Sequence, residues 1–461
     1  MFKKSVGSGV EPTPKALKRR LFWQKARRRT LIGLSVFFVV HTALNLYASV
    51  QLNRELSAIR EKGEPIQLSE MQSRTVPDAQ NAALVYEQAT KSLQLTPEEK
   101  IALVVLPPKQ SRHQKLVAEV AIRKNQRTLA LVRKAASMPL CRFDVKWNQD
   151  PLLVAFPYYA KMRDLARLVG AQARLEAENG DTIAALDNVR AIFGISQHLS
   201  NEPTYIGFLV AQSMNAIASN TLVKVLETTP LTVVQAHNFQ SSLPDTDWAE
   251  SLRHGMLGER TLSASAYYRL GYSAMSLATE DGPDLSTKAY TYPLLWFASP
   301  ILKLDQVQSL RLWRQLIDSN ELMQIPAGED FYQSFNSAVN ETPRYAVLTR
   351  ILMPVFSNVA YARDNAEVRR RQREIGLALA CYRTNNGQYP ANLQLAEKLW
   401  GKPFAADVYG NKPFMYRTEK EGFRLYSVGA NGVDNEGKGQ MGFKPKKPAL
   451  EDDIAWGGRR E

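Results

Sequence analysis

LIGLSVFFVVHTALNLYASV, Leu31 to Val50, is the stretch on which the reading of this chain turns. No charged residue falls between Arg29 and Arg54. About 20 helical residues at 1.5 Å each reach ~30 Å, the thickness of a bilayer's hydrocarbon core. The run is therefore read as a transmembrane helix over 30–50, preceded by a basic tail over 1–29. That tail holds ten Lys and Arg against one acid, Glu11, whereas the far flank from Arg54 to Glu64 mixes signs. The positive-inside rule then keeps the N-terminus in the cytoplasm and puts residues 51–461 outside it. A cleaved secretory signal is the competing reading. The apolar run is longer than a signal core and Leu46-Tyr47-Ala48 is a poor small-x-small site, so a retained single-pass anchor is favoured. Paired arginines at Arg19-Arg20 resemble a twin-arginine signal only as any basic stretch does. His41 and Asn45 lie four apart on one helix face, and a passive polar position is preferred to a hydrogen bond with a partner helix.

Of the net charge of +14 over 461 residues, +9 belongs to residues 1–29. The basic balance therefore reports the membrane flank, and nucleic acid is not expected as a partner, since no basic stripe is found on a folded face. Hydrophobic residues make up 44% and charged residues 23%, enough to build a substantial core. Cys141 and Cys381 are the only cysteines. Both sit among apolar residues, so buried thiols are expected, with one disulfide left open. The five histidines show no metal-ligand spacing. Gly432 to Gly439 nearly spells a phosphate-binding loop, but it lacks the final Ser or Thr and carries acids where phosphates would lie.

The expected class is mainly α: a transmembrane helix, an extracytoplasmic helical-hairpin domain over 51–344, and a small α+β module over 345–461. The anchor helix should continue to Arg60 and break at Gly63 and Pro65. Asp78 is a plausible cap, and Thr96-Pro97-Glu98-Glu99 reads as a capping box. One helix is expected over Gln114–Ala136. Met162–Glu178 is amphipathic, Asn179-Gly180-Asp181 stops it and caps the next, and Thr182–Leu199 forms its partner. This pair resembles a single tetratricopeptide-type hairpin, without a clean 34-residue recurrence. Helices follow over Tyr205–Leu226, Thr232–Leu243 and Asp247–Ala278. Residues 279–293 read as a loop, and Pro293–Leu302 as an apolar segment too short to span a bilayer, a core segment being preferred to a lipid-dipping or partner-binding patch, which stays open. Leu304–Met323 reads as helix and 326–344 as a polar connector. A long helix then runs from Leu352 past Pro354 to Arg383, ending at Thr384-Asn385-Asn386-Gly387. Alternating residues around Thr418–Gly422 make a β-hairpin, with Phe423, Leu425 and Ser427 facing one way.

Within this module the order YRTNNGQYP, DVYGNKPFMY, LYSVGANGVD and DDI carries a resemblance. The positions are Tyr382, Asn386, Gly387, Tyr389 and Pro390, then Asp407, Gly410, Asn411 and Pro413. Tyr426, Ser427, Gly429, Gly432 and Asp434 follow, with Asp452 and Asp453 last. Together they resemble the soluble half of the major pseudopilin of type II secretion. The resemblance implies a small sheet on one long helix and a bacterial inner-membrane protein. It also implies calcium held by Asn431, Asp434, Asp452 and Asp453 with backbone oxygens near Leu425 and Ser427, a set of hard oxygen donors that suits that ion. Here the anchor lies far upstream of the module, no prepilin processing site precedes either helix, and Lys438, Lys444, Lys446 and Lys447 oppose a cation. The module is thus read as a reused cap. The partners expected are the lipid bilayer and other envelope proteins. The function expected is interaction or scaffolding in the cell envelope with no catalysis inferred. The alternative is an envelope-associated hydrolase with its site in the helical domain.

Overall fold

The computed structural model describes residues 14–71, 75–104, 111–147, 154–273, 285–319, 324, 326, 329–353, 359–420, 422–438 and 453–456. Among them are fifteen α-helices and one small sheet. The first helix, α1 (Pro14–Glu61), is a single rod in which basic tail, apolar run and stalk are continuous. It ends where Gly63 takes a positive φ of 69°. Most apolar side chains of Leu31–Val50 are exposed, as a lipid-facing surface requires. One other described helix has the length and hydropathy to cross a membrane, Tyr205–Thr228, but most of that segment is buried inside the bundle.

The helical region follows the sequence closely where side chains cap their own helices. α3 (Pro97–Ala102) carries the capping box, with Glu99 accepting from the Thr96 amide at 2.7 Å. α6 (Tyr158–Glu178) and α7 (Thr182–Ser200) form the expected hairpin. Gly180 adopts φ 83° between them, a backbone setting that costs a glycine little, and Asp181 accepts from the Ala184 amide. α8 (Tyr205–Thr228) packs behind both, and α2 (Ala82–Ser92) with α5 (Gln126–Ala136) covers their other side.

Several expectations are corrected. The cap of α2 is Asn81, not Asp78, which starts a short 3-10 turn. Gln114–Ala136 is two helices, α4 (Arg112–Lys124) and α5, because the buried Asn125 turns its amide onto the Ala121 and Gln94 carbonyls. α9 (Val233–Ser242) is followed by α10 (Trp248–Ser273), and the remainder of the expected helix to Ala278 lies outside the described residues. The loop reading of 279–293 fails over its second half, since α11 spans Leu285–Ile317. Pro293–Leu302 is not a core segment: Trp296, Phe297 and Ile301 are 41%, 52% and 42% exposed. The connector 326–344 contains α12 (Glu329–Asn340). The helix drawn from Leu352 is in fact α13 (Val347–Leu352) and α14 (Val359–Asn386), with Pro354 between them outside the described residues.

α14 lies against α8, α9 and α10, so one apolar cluster runs from Ala82 to Leu425. Arg383 locks this contact by donating to the carbonyls of Leu226, Glu227 and Thr229 at 2.7, 3.1 and 3.2 Å. These are the last carbonyls of α8, where a cation also meets the negative end of the helix dipole. After α15 (Leu393–Trp400), strands β1 (Met415–Glu419) and β2 (Gly422–Ser427) pair antiparallel, with Tyr416 opposite Leu425. A third strand, β3 (Ile454–Ala455), pairs antiparallel with the other edge of β2. The motif residues serve this packing. Tyr389 sits edge-on to Phe423, Tyr416 donates to the Pro390 carbonyl, and Gly410 and Asn411 take successive positive φ values in the turn closed by Asp407.

Candidate functional site

A cavity of about 550 Å³ opens where the end of α1 meets the helical domain, a size that suits a small ligand. Its walls come from four places in the chain. Arg60, Glu64 and Glu70 come from the end of α1 and the segment after it. Cys141, Arg142, Phe143 and Trp147 lie on an extended segment; Asn201, Glu202 and Pro203 form the α7–α8 turn; His254, Leu257 and Gly258 belong to α10.

The extended wall is fixed by Asn81. Its side-chain oxygen accepts from the Arg142 amide at 2.8 Å and its amide donates to the Arg142 carbonyl at 3.0 Å. The Leu140 carbonyl accepts from the Ala82 amide at 2.8 Å. The floor is fixed by glycine. A Cβ at Gly258 would lie 1.7 Å from the Pro203 carbonyl oxygen, and one at Gly255 would lie 3.0 Å from the Thr204 oxygen. Only the missing side chains let α10 press onto the turn that carries Glu202.

Glu202 is the chemically distinctive group. It is 6% exposed, and burial pushes its carboxyl up to about 7 against a partly offsetting hydrogen bond from the Tyr158 hydroxyl at 2.5 Å. Phe143 stacks on Tyr158 at 4.0 Å, and Tyr159 meets the Thr204 hydroxyl at 3.0 Å. Burial and the nearby Glu202 keep the Tyr158 hydroxyl and the Cys141 thiol protonated. Neither is a nucleophile at neutral pH. The other carboxylates are engaged. Glu64 bridges Arg260 at 2.7 Å and Arg253 at 3.1 Å, and Glu70 accepts from the Ile66 and Gln67 amides. The cavity thus offers one carboxyl that gives up its proton only near neutrality, an aromatic wall and a rim with arginines.

Sequence reading missed Glu202. In sequence, Pro203 marks only a stop after the α6–α7 pair. Nothing local marks the preceding acid, because its burial depends on residues some 60 positions upstream and 50 downstream. The two cysteines left open as a disulfide are free thiols, and burial raises that of Cys381 to about 12.

The residues assigned to calcium by resemblance lie elsewhere, in the loop after β2. Asp434 accepts from the Tyr426 hydroxyl at 2.9 Å and the Glu436 amide at 2.8 Å. Asp453 accepts from the Asn435 and Gly437 amides at 3.0 and 2.6 Å, and Asn431 from the Val433 amide at 3.0 Å. The Leu425 carbonyl accepts from the Trp456 amide, and the Ser427 hydroxyl accepts from the Gly429 amide. The structure thus brings Asp434 and Asp453 onto one loop, with each carboxylate accepting hydrogen bonds from the protein itself. Asp452 lies outside the described residues, and among those described no cluster of three His, Cys, Asp or Glu is placed to hold a metal.

In comparisons with protein families, curated proteins and solved structures, nothing matches this chain. What the fold and site define is therefore a class: a mainly helical protein with an N-terminal helix long and apolar enough to span a membrane and a polar cleft beside the end of that helix.

Proposed function

We propose that this protein is a single-pass component of the bacterial inner membrane that works by binding in the cell envelope, as an interaction or scaffolding element, with the membrane-proximal cleft as its binding site. The observation that carries this reading is the continuity of α1 from the apolar run to the cavity, whose rim includes Arg60 and Glu64. A ligand or partner segment in the cleft is thereby held close to the bilayer surface. Lys15, Lys18, Arg19, Arg20, Lys25 and Arg27–Arg29 support a cytoplasmic N-terminus, leaving the cleft outside. The α6–α7 pair is read as a lone tetratricopeptide-like hairpin, and the pseudopilin-like order of motifs in the C-terminal module supports a place beside secretion machinery.

One observation favours the hydrolase reading, the Glu202 carboxyl, which burial pushes up to about 7, suited to protonating a leaving group. The base it would need is offered by His254, which lines the same cavity and whose imidazole burial keeps neutral. Glu64 and Glu70 are held by arginines and amides, while the Cys141 thiol stays protonated. Binding is the better account.

The test is photo-crosslinking of the full-length protein in its own membranes. A reactive residue at the exposed Asn201, on the cleft rim, should yield a repeatable product. The same residue at Ile183, also exposed but absent from the cleft lining, should not. Equal or absent products at the two positions would sink the proposal.

A further inference from the structure

The apolar run of α1 has a companion. α11 lies along it in parallel, as the bonds show by advancing together on both helices. His41 Nε2 meets the Trp296 carbonyl at 2.9 Å, Lys303 Nζ donates to Asn45 Oδ1 at 2.9 Å and Ser49 Oγ at 3.0 Å, and Arg311 donates to Glu55 at 2.9 Å. Lys62 and Asp318 close the series. α10 runs antiparallel to α11, with the Gln306 side chain donating to the Ala264 carbonyl and the Tyr267 hydroxyl to Asp305.

The level of these contacts matters. His41 lies nine residues before Val50, about 14 Å along the helix and so near the middle of a ~30 Å hydrocarbon core. Polar groups at that depth are costly unless they are bonded within the protein. His41, Asn45 and Ser49 share one face of α1 at four-residue spacing, and each is bonded to α11. His41 is 6% exposed, with the Trp296 ring 3.7 Å from its own.

Pro300 supplies the reciprocal need. It has no N–H, so within a helix the carbonyl four residues earlier, that of Trp296, loses its partner. His41 supplies the donor. A proline inside a membrane helix is tolerated when a neighbouring helix satisfies the freed carbonyl in this way. The remaining surface is apolar: Phe297 stacks against Phe37, and Trp296, Phe297 and Ile301 leave much of their area facing outward. Lys303, at the level of Ser49, reaches the polar end of the run with its stem along α1.

We propose that Trp296–Lys303 lies within the bilayer beside the anchor, with Trp296, Phe297 and Ile301 covered by lipid hydrocarbon. The protein thus holds the membrane by α1 and by this stretch of α11, joined by the His41–Trp296 bond. This inference rests on α1 being the anchor.

The experiment places nitroxide labels on single cysteines in the full chain, with Cys141 and Cys381 replaced by Ser, in vesicles of zwitterionic and anionic phospholipid. Phe297→Cys and Ile301→Cys are exposed positions, Val39→Cys reports the anchor and Ile183→Cys the water-facing domain. The expected result is an oxygen-to-nickel-chelate accessibility ratio at 297 and 301 that matches position 39 and exceeds position 183 by an order of magnitude. A water-like ratio at 297 and 301 with position 39 in lipid overturns this inference alone. A water-like ratio at 39 as well overturns the anchor with it. Exclusion of both reagents with spin–spin broadening would mean that a second copy covers the face, and would equally overturn lipid contact.

Discussion

Replacing Glu202 with Gln should make the protein more stable at alkaline pH and leave it unchanged at acid pH. Burial holds the Glu202 carboxyl at about 7 in the folded chain, against an ordinary value of 4.5. Below that ordinary value both states carry the proton, and the buried group costs nothing. As pH rises toward 7 the unfolded chain ionises first while the folded chain keeps its proton. The folded state then binds more protons, so stability falls through this window and stays lower above it. The difference in pKa corresponds to a loss of about 3 kcal/mol from this one side chain. Gln preserves an acceptor for the Tyr158 hydroxyl and removes the ionisation. Glu259 and Asp407 are also raised by burial, and they cancel when variant and parent are compared at each pH. The assay is thermal unfolding of the full-length protein in detergent micelles, followed by circular dichroism from pH 4.5 to pH 8. Each kcal/mol moves the midpoint by about 2–4 °C in a domain of 150–250 residues and by less in a longer chain. The gap between Glu202→Gln and parent should therefore open from nothing to several degrees. A gap independent of pH would refute the buried, protonated carboxyl.

Gly258→Ala should destabilise the same region by roughly 1–3 kcal/mol, the usual cost of overpacking, because its Cβ meets a backbone oxygen that cannot swing away. Gly33→Ala, where nothing lies within 4 Å, is the matched control, and equal melting of the two variants would show that α10 does not press on the Glu202 turn. Calcium against chelator should leave the melting of the protein unmoved, since Asp434 and Asp453 already accept hydrogen bonds from their own loop. An upward shift with calcium that disappears on Asp452→Ala with Asp453→Ala would refute this and establish the ion there.

Features under short-range control were legible along the chain. The uncharged run from Leu31 to Val50 fixes a helix long enough to cross a membrane, and its basic flank suggests an orientation. Thr96 with Glu99, and Gly180 with Asp181, set helix ends because cap and capped amide are three or four residues apart. The β-hairpin was legible for the same reason, while its third strand, lying far along the chain, was not. The remaining features depend on contacts between distant segments. Asn125 breaks a helix through a bond to Gln94, Glu202 is buried by an upstream extended segment and a downstream helix, and His41 finds its acceptor 255 residues away. Burial and hydrogen-bond partnership are properties of three-dimensional neighbours. A polar residue that looks passive along the chain acquires its chemistry only when a distant segment removes it from solvent.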